Sequence, residues 1–224
     1  LVTISDTPPQ NEPPTDGILD SHLSPPRPTE NLTTRRALRT HAFWLLAGSG
    51  FLFFSVLTAV FSHVIPLALD HGVAKGVAAL SLGVLIGIGT VGKVGAGYLA
   101  DRFDADRVLL WTFLSQAGAL CLMTWGHNPT CFWIFVALFG IGQGGALTLS
   151  PMVLGHLFGS GALGSLVGTY WLIATVGSLI GPPAAGALRD ATGAYSLVLL
   201  CFAAALLGSA ALVGLIRNEE LAVS

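Results

Sequence analysis

Lys93 sits inside VGKVGAGYLADRF, residues 91–103, flanked by apolar and small residues, with an Asp-Arg pair eight positions further on. Eight residues of helix rise about 12 Å, which places the ammonium roughly two turns inside the apolar run that Asp101 and Arg102 end. A cation so placed costs on the order of 3 kcal/mol at the centre of a bilayer. Its neighbours three and four residues away are Gly89, Thr90, Ala96 and Gly97, a small-residue face that another helix or a water-filled cavity would meet. Two roles fit: holding the negative charge of a substrate, or reaching the interface on a flexible stem, with Asp101 as partner.

Other polar residues could line the same space. Ser55, Thr58 and Ser62 recur three and four apart and form one polar stripe on an apolar helix. Gln143, Thr148 and Ser150, and further on Thr169, Tyr170 and Trp171, are similar candidates. Serine and threonine hydroxyls can equally bond the carbonyl of their own preceding turn. His63 is a candidate proton relay, because an imidazole titrates near neutrality, although a histidine there also serves as a cap or filler. Gly181-Pro182-Pro183 interrupts a helical run, and proline inside a helix removes a backbone bond and forces a kink.

These residues belong to a chain of 224 residues that is 53% hydrophobic and 10% charged, with a mean hydropathy of +0.73. Soluble domains carry roughly 25% charged residues, so the composition points to a membrane protein. Six apolar spans can be drawn, at about 42–66, 78–99, 108–126, 131–156, 163–188 and 195–216, each close to the ~20 residues a crossing needs. With the N-terminal arm on the cytoplasmic side, eight of the ten Lys and Arg fall on or toward that side, leaving Lys75 and Arg189 outside, as the positive-inside rule requires. Both termini are then cytoplasmic. The first 34 residues hold seven of the twelve prolines and five acids against Arg27, a composition expected to be disordered. The expected organisation is a disordered cytoplasmic linker over 1–41, a six-helix transmembrane domain over 42–216 and a cytoplasmic tail over 217–224. Cys121, Cys131 and Cys201 are widely spaced and read as small buried apolar residues.

A shift of 89 positions lays Gly92, Ala96, Gly97, Leu99 and Asp101 onto Gly181, Ala185, Gly186, Leu188 and Asp190. The second and fifth spans therefore end alike. Three helices separate the copies, so the two units face opposite ways across the bilayer, the inverted-repeat arrangement of secondary transporters. The expected fold is all-α, six transmembrane helices forming two inverted three-helix repeats. Glycine concentrates in the second, fourth and fifth spans, which read as the closely packed inner helices, with the third and sixth facing lipid. Enzymatic chemistry is not supported: there is no HExxH, no phosphate-cradling loop and no nucleophile beside a base. No metal ligand set, cofactor or nucleic-acid surface is expected.

Gly97-Tyr98-Leu99-Ala100-Asp101-Arg102-Phe103, followed by Arg107, resembles the G-x-L-A-D-R loop motif of the major facilitator superfamily, which joins helices on the cytoplasmic side. The run IGPPAAGALRDATGAY, residues 180–195, looks like the eleventh helix and following loop of its monocarboxylate-transporter-like and oxalate/formate-antiporter-like members. The resemblance covers about residues 35–220 and corresponds to the C-terminal six helices, with the arm as the central loop and an N-terminal six-helix half as the missing partner. It implies a plasma membrane carrier, a bacterial inner membrane being the expected setting, that moves a small organic anion such as a monocarboxylate by alternating access with proton symport. Lys93 falls where these relatives place a cation, usually arginine, that binds substrate carboxylate. A lysine is a point charge without arginine's bidentate fork, suited to a single carboxylate. The fifth span lacks the second cation of the oxalate carriers, which argues against a small dicarboxylate. Phe158 to Ala162 lacks the basic residues relatives often carry, which puts that inner gate contact in doubt. Gly97, Asp101, Arg102 and Arg107 are implied to latch the cytoplasmic loop. The alternative reading is a truncated or scaffold module in the bilayer without transport activity of its own.

Overall fold

Helix starts and stops follow from residues at their ends. The computed structural model describes residues 34–126 and 128–223, with side chains described as far as Arg217. After a single turn α1 (Thr34–Ala37), α2 (His41–Asp70) begins where the Thr40 hydroxyl accepts from the Phe43 N–H, and it ends at His71, before Gly72 turns the chain at φ +76°. The short α3 (Lys75–Ala78) leads into α4 (Ser81–Ala100), and α5 (Ala105–Trp125) starts with Asp106 in its first turn, where a negative charge suits the helix dipole. Asn128 caps α6 (Pro129–Phe158) by accepting from the Cys131 N–H at 2.9 Å, with Pro129 at the first helical position. Gly159 ends α6 at φ +72°, and Gly193 ends α7 (Leu163–Thr192) at φ +73° before α8 (Ser196–Val223). Among the described residues six helices are long and apolar enough to cross a membrane.

The expected spans match these helices with shifted ends: α2, α6 and α7 run past the apolar stretches to Asp70, Phe158 and Thr192. Helix hydrogen bonding continues into polar residues at the interface, which hydropathy alone does not report. Residues 34–37, expected within the linker, form α1, and the backbone of α8 continues beyond 216 to Val223. Residues 1–33 lie outside the described part.

The six long helices pack in a regular pattern. α2 lies along α7, α4 along α6, α5 against both α6 and α8, and α2 against α8. Exchanging the first three spans (α2, α4, α5) for the last three (α6, α7, α8) maps this pattern onto itself, as an inverted repeat demands. The correspondence holds at single residues. A Cβ at Gly92 would strike the carbonyl of Ile141 on α6, and a Cβ at Gly181 would strike the carbonyl of Ser55 on α2. Gly92 and Gly181 are 89 positions apart, Ser55 and Ile141 are 86 apart, and one turn along each seam the equivalence repeats. There Gly144 leans on the Gly89 carbonyl, and the matching Thr58 donates its hydroxyl to the Ser178 carbonyl at 3.1 Å.

That last bond has a cause in the sequence. In a helix the N–H of residue 182 would bond the carbonyl of residue 178, and Pro182 has none. The Thr58 hydroxyl from α2 lies 3.1 Å from the orphaned carbonyl and 2.8 Å from its own Phe54 carbonyl, so its one hydrogen is shared between them, and α7 runs as one helix through Pro182 and Pro183.

The apolar core is a run of phenylalanines and small aliphatics, with Phe53 of α2 against Phe113 of α5 at 5.5 Å between ring centres and Phe135 against Phe139 along α6. Two buried polar contacts tie helices together. His71 bridges the Leu67 and Met123 carbonyls at 2.9 and 3.1 Å, and Ser209 donates to the Ser49 carbonyl at 3.1 Å. Within this six-helix unit, α4 and α7 bury one edge and leave more of their surface open than α5 and α8. Cys201 is exposed, and Cys121 and Cys131 are half-buried, so none is the fully buried residue expected.

Two predictions follow from the seams. Gly92→Ala and Gly181→Ala should each lower stability against denaturant by about 1–3 kcal/mol through overpacking, whereas Gly83→Ala, whose new methyl meets open space, should not. Thr58→Val should cost about 1 kcal/mol, be rescued by Thr58→Ser, and cost less in a Pro182→Ala background, where residue 182 regains its own N–H. Unfolding in mixed detergent micelles measures all of these.

Candidate functional site

The candidate residues fall along the two seams rather than into one pocket. On the α4–α6 seam, Gln143 is buried with its amide against Gly89, so that a Cβ there would meet Nε2. Lys93 stands next to Gly92 on the edge of the same seam, its backbone nitrogen facing Gly144 and its side chain exposed. Among the described residues the ion pairs are Arg107 with Asp104 and Arg217 with Asp106, and Lys93 enters neither. The reach to Asp101 considered from sequence is not made. Under the 89-residue shift, Lys93 corresponds to Pro182: where one repeat carries a charge, the other carries its proline pair.

Ser55, Thr58, Ser62 and Tyr170 lie on the α2–α7 side. Ser55 offers its backbone carbonyl to Gly181, and Thr58 bonds to Ser178. Exposed Ser62 donates to the Thr58 carbonyl at 2.9 Å. Tyr170 is buried in a notch that Gly50 leaves open, its hydroxyl facing that of Ser150. Trp171 packs on Phe54 with ring centres 5.0 Å apart. The remaining hydroxyls turn back on their own helices, Thr148 to the Gly144 carbonyl, Ser150 to Ala146 and Thr169 to Ser165, at 3.2, 2.8 and 2.9 Å. For these residues the bond to the preceding turn is the contact observed.

At the end of the bundle where α4 meets α5, a cavity of about 510 Å³ opens between the 100–107 turn, His156 of α6 and Arg217 of α8. It gathers Asp101, Arg102 and Arg107 of the loop motif, while Gly97 lies outside it on the half-exposed side of α4. Arg102 stacks on the Tyr98 ring, 4.7 Å from its centre. Arg107 pairs with Asp104 at 3.0 Å and Arg217 approaches Asp106 at 4.0 Å. Both pairs are solvent-accessible, and such pairs contribute little to stability. Asp104 and Asp106 were missed in the sequence, yet the Asp104–Arg107 spacing at a helix start was the available signal. A separate apolar groove of about 180 Å³ lies between Gly95, Leu99, Thr112 and Ile141, and no charged residue lines it.

At the opposite end, His63 touches Tyr195 and the Pro182 carbonyl, and Arg189 sits over the Tyr195 ring at 4.8 Å. Burial pushes the Tyr195 phenol up from its ordinary value, and the Arg189 guanidinium partly offsets this. Among the described residues no cluster of His, Cys, Asp or Glu could hold a metal ion.

Comparison with known proteins follows the same lines. The family model described as Major Facilitator Superfamily matches residues 89–223. Monocarboxylate transporter 12-B of Danio rerio is 31% identical over 175 residues, 76% of this chain and 37% of that protein. Monocarboxylate transporter 12 of Homo sapiens is 32% identical over 173 residues, 72% of this chain and 33% of that protein. The MFS transporter asaE of Aspergillus flavus is 29% identical over 155 residues, 68% of this chain and 35% of that protein. The matched region thus spans little more than a third of these relatives' length. With a six-helix, repeat-symmetric bundle and a family match over more than half its residues, the chain belongs to the Major Facilitator Superfamily and forms half of that fold.

Proposed function

We propose that the chain is the C-terminal six-helix half of a secondary active transporter that carries a small organic anion of the monocarboxylate class across the plasma membrane by alternating access, with proton symport. The observation that supports this most is Lys93. It is a cation well within a spanning helix, exposed on the open flank of α4, and engaged in no ion pair among the described residues. An unneutralised charge at that depth is stabilised by an anion or by water, and a complementary six-helix half facing the same flank would enclose the two together. Gln143 of α6, buried against Gly89, would reach the same anion only if the α4–α6 seam opens in the cycle. Ser55, Thr58 and Ser62 would line the wall formed by α2 and α7, with Tyr170, buried beneath Gly50, backing it. The relatives named as monocarboxylate transporters agree with a single-carboxylate substrate for a single cation. Both termini of the six-helix unit would be cytoplasmic, and the turn with Asp101, Arg102 and Arg107 would act as the gate latch at that face, with the Gly181-Pro182-Pro183 segment bending as the gate moves.

The test is uptake of radiolabelled lactate and pyruvate into proteoliposomes holding the complete carrier that contains this unit, at two proton gradients. Lys93→Ala should lower saturable uptake by at least about tenfold, the scale of one charge-assisted contact, with thermal stability unchanged. Asp101→Asn should slow transport while insertion and expression stay normal. Undiminished uptake by Lys93→Ala would return the lysine to an interfacial role and move the anion site to another helix.

A further inference from the structure

The imidazole of His63 is held on both sides. Its Nδ1 lies 3.0 Å from the Tyr195 hydroxyl and its Nε2 lies 3.4 Å from the carbonyl of Pro182. A carbonyl oxygen can only accept, so the contact with Pro182 places a hydrogen on Nε2. In the neutral ring Nδ1 is then an acceptor, and the Tyr195 hydroxyl donates to it. The same tyrosine ring carries the Arg189 guanidinium 4.8 Å from its centre, and among the described residues the Arg189 Nε is shielded from solvent without a hydrogen-bond partner. The neutral arrangement therefore has one open place for a proton, Nδ1, and filling it disturbs two neighbours.

We propose that His63 Nδ1 is a proton-binding site and that α7 reads its occupancy. The proton arrives on Nδ1, the Tyr195 hydroxyl reverses to accept from the ring and points its own hydrogen away, and no other bond changes. Two consequences reach α7 at different heights. The Nε2–H contact with Pro182 becomes charge-assisted and tightens beside the proline pair. The new imidazolium shares Tyr195 with Arg189, and the like charges weaken the seat of Arg189 at the last turn of α7. The charges around Tyr195 oppose one another: beside the burial that raises its phenol, Arg189 of α7 lowers it, while Asp70 of α2 and Asp190 of α7 raise it. α2 thus transmits a binding event to the proline pair and to the C-terminal turn of one helix. The proton site stands on this geometry alone; its place in a transport cycle rests on the proton-coupled reading above.

The test uses the chain in lipid nanodiscs with ¹⁵N-labelled histidine, His63 being assigned by its loss in His63→Gln. The His63 signals should pass from neutral to cationic positions as the pH is lowered across the histidine range. Arg189→Gln should raise that midpoint, as removal of a nearby like charge does, and Asp70→Asn should lower it. Amide protection over residues 184–190, corrected for intrinsic exchange, should change across the midpoint and lose that change in His63→Gln. A single protonation state across the range, or a midpoint that neither charge variant moves, would overturn the site. Protection that ignores the midpoint would overturn the link to α7. Lactate uptake in the complete carrier separates the two readings. Its absence at every pH sinks the transport assignment and leaves the magnetic resonance result standing, whereas proton-driven uptake that keeps its pH dependence in His63→Gln removes His63 from the cycle.

Discussion

The bundle depends on four places where one helix backbone lies against another with no side chain between them. Gly92 on Ile141, Gly144 on Gly89, Gly181 on Ser55 and Gly177 on Phe51 bring carbonyl oxygens to where a Cβ would otherwise sit. In lipid there is little hydrophobic gain from joining two apolar helices, so close dispersion contact and backbone polarity must do the joining. Position matters more than glycine content. Gly83, Gly87, Gly95, Gly164 and Gly168 meet nothing within 4 Å, although they share the same helices. One edge of α4 and one of α7 are thereby committed to the seams, and the other edge is left to whatever faces it.

The fold was largely legible in the sequence because its signals are strong and additive. Apolar runs bounded by Gly72, Asn128, Gly159 and Gly193 give the helices, and one coincidence of Gly92 with Gly181 gives the repeat. What the sequence could not supply was the partner of each seam. The shift relates α4 to α7, but that α4 lies on α6 and α7 on α2 is a matter of tertiary pairing, which periodicity does not encode. The exposed position of Cys201 belongs to the same class, since any apolar span looks equally buried before its neighbours are known.

The polar residues were harder to read, and the reason is specific. A hydroxyl on a membrane helix signals the same thing whether it faces a cavity or a carbonyl. Thr58 looked like part of a wetted stripe, and the structure gives it a backbone acceptor created by a proline 124 positions away. His63 read as a cap or a relay, and it contacts two elements distant in sequence. Lys93 was legible as an anomaly because its charge has no cheap explanation in an apolar run. Asp104 and Asp106 were overshadowed by the neighbouring loop motif, yet they make the ion pairs at that face.

The crossed pairing of the repeats also bears on how the protein is made. α2 emerges from the ribosome well before α7, and α4 before α6, so the first three helices enter the bilayer with their glycine edges uncovered. No early intermediate can close either seam within one repeat, and contacts this remote in sequence are slow to form. During synthesis the half-made chain therefore carries bare backbone edges until α6 and α7 arrive to cover them.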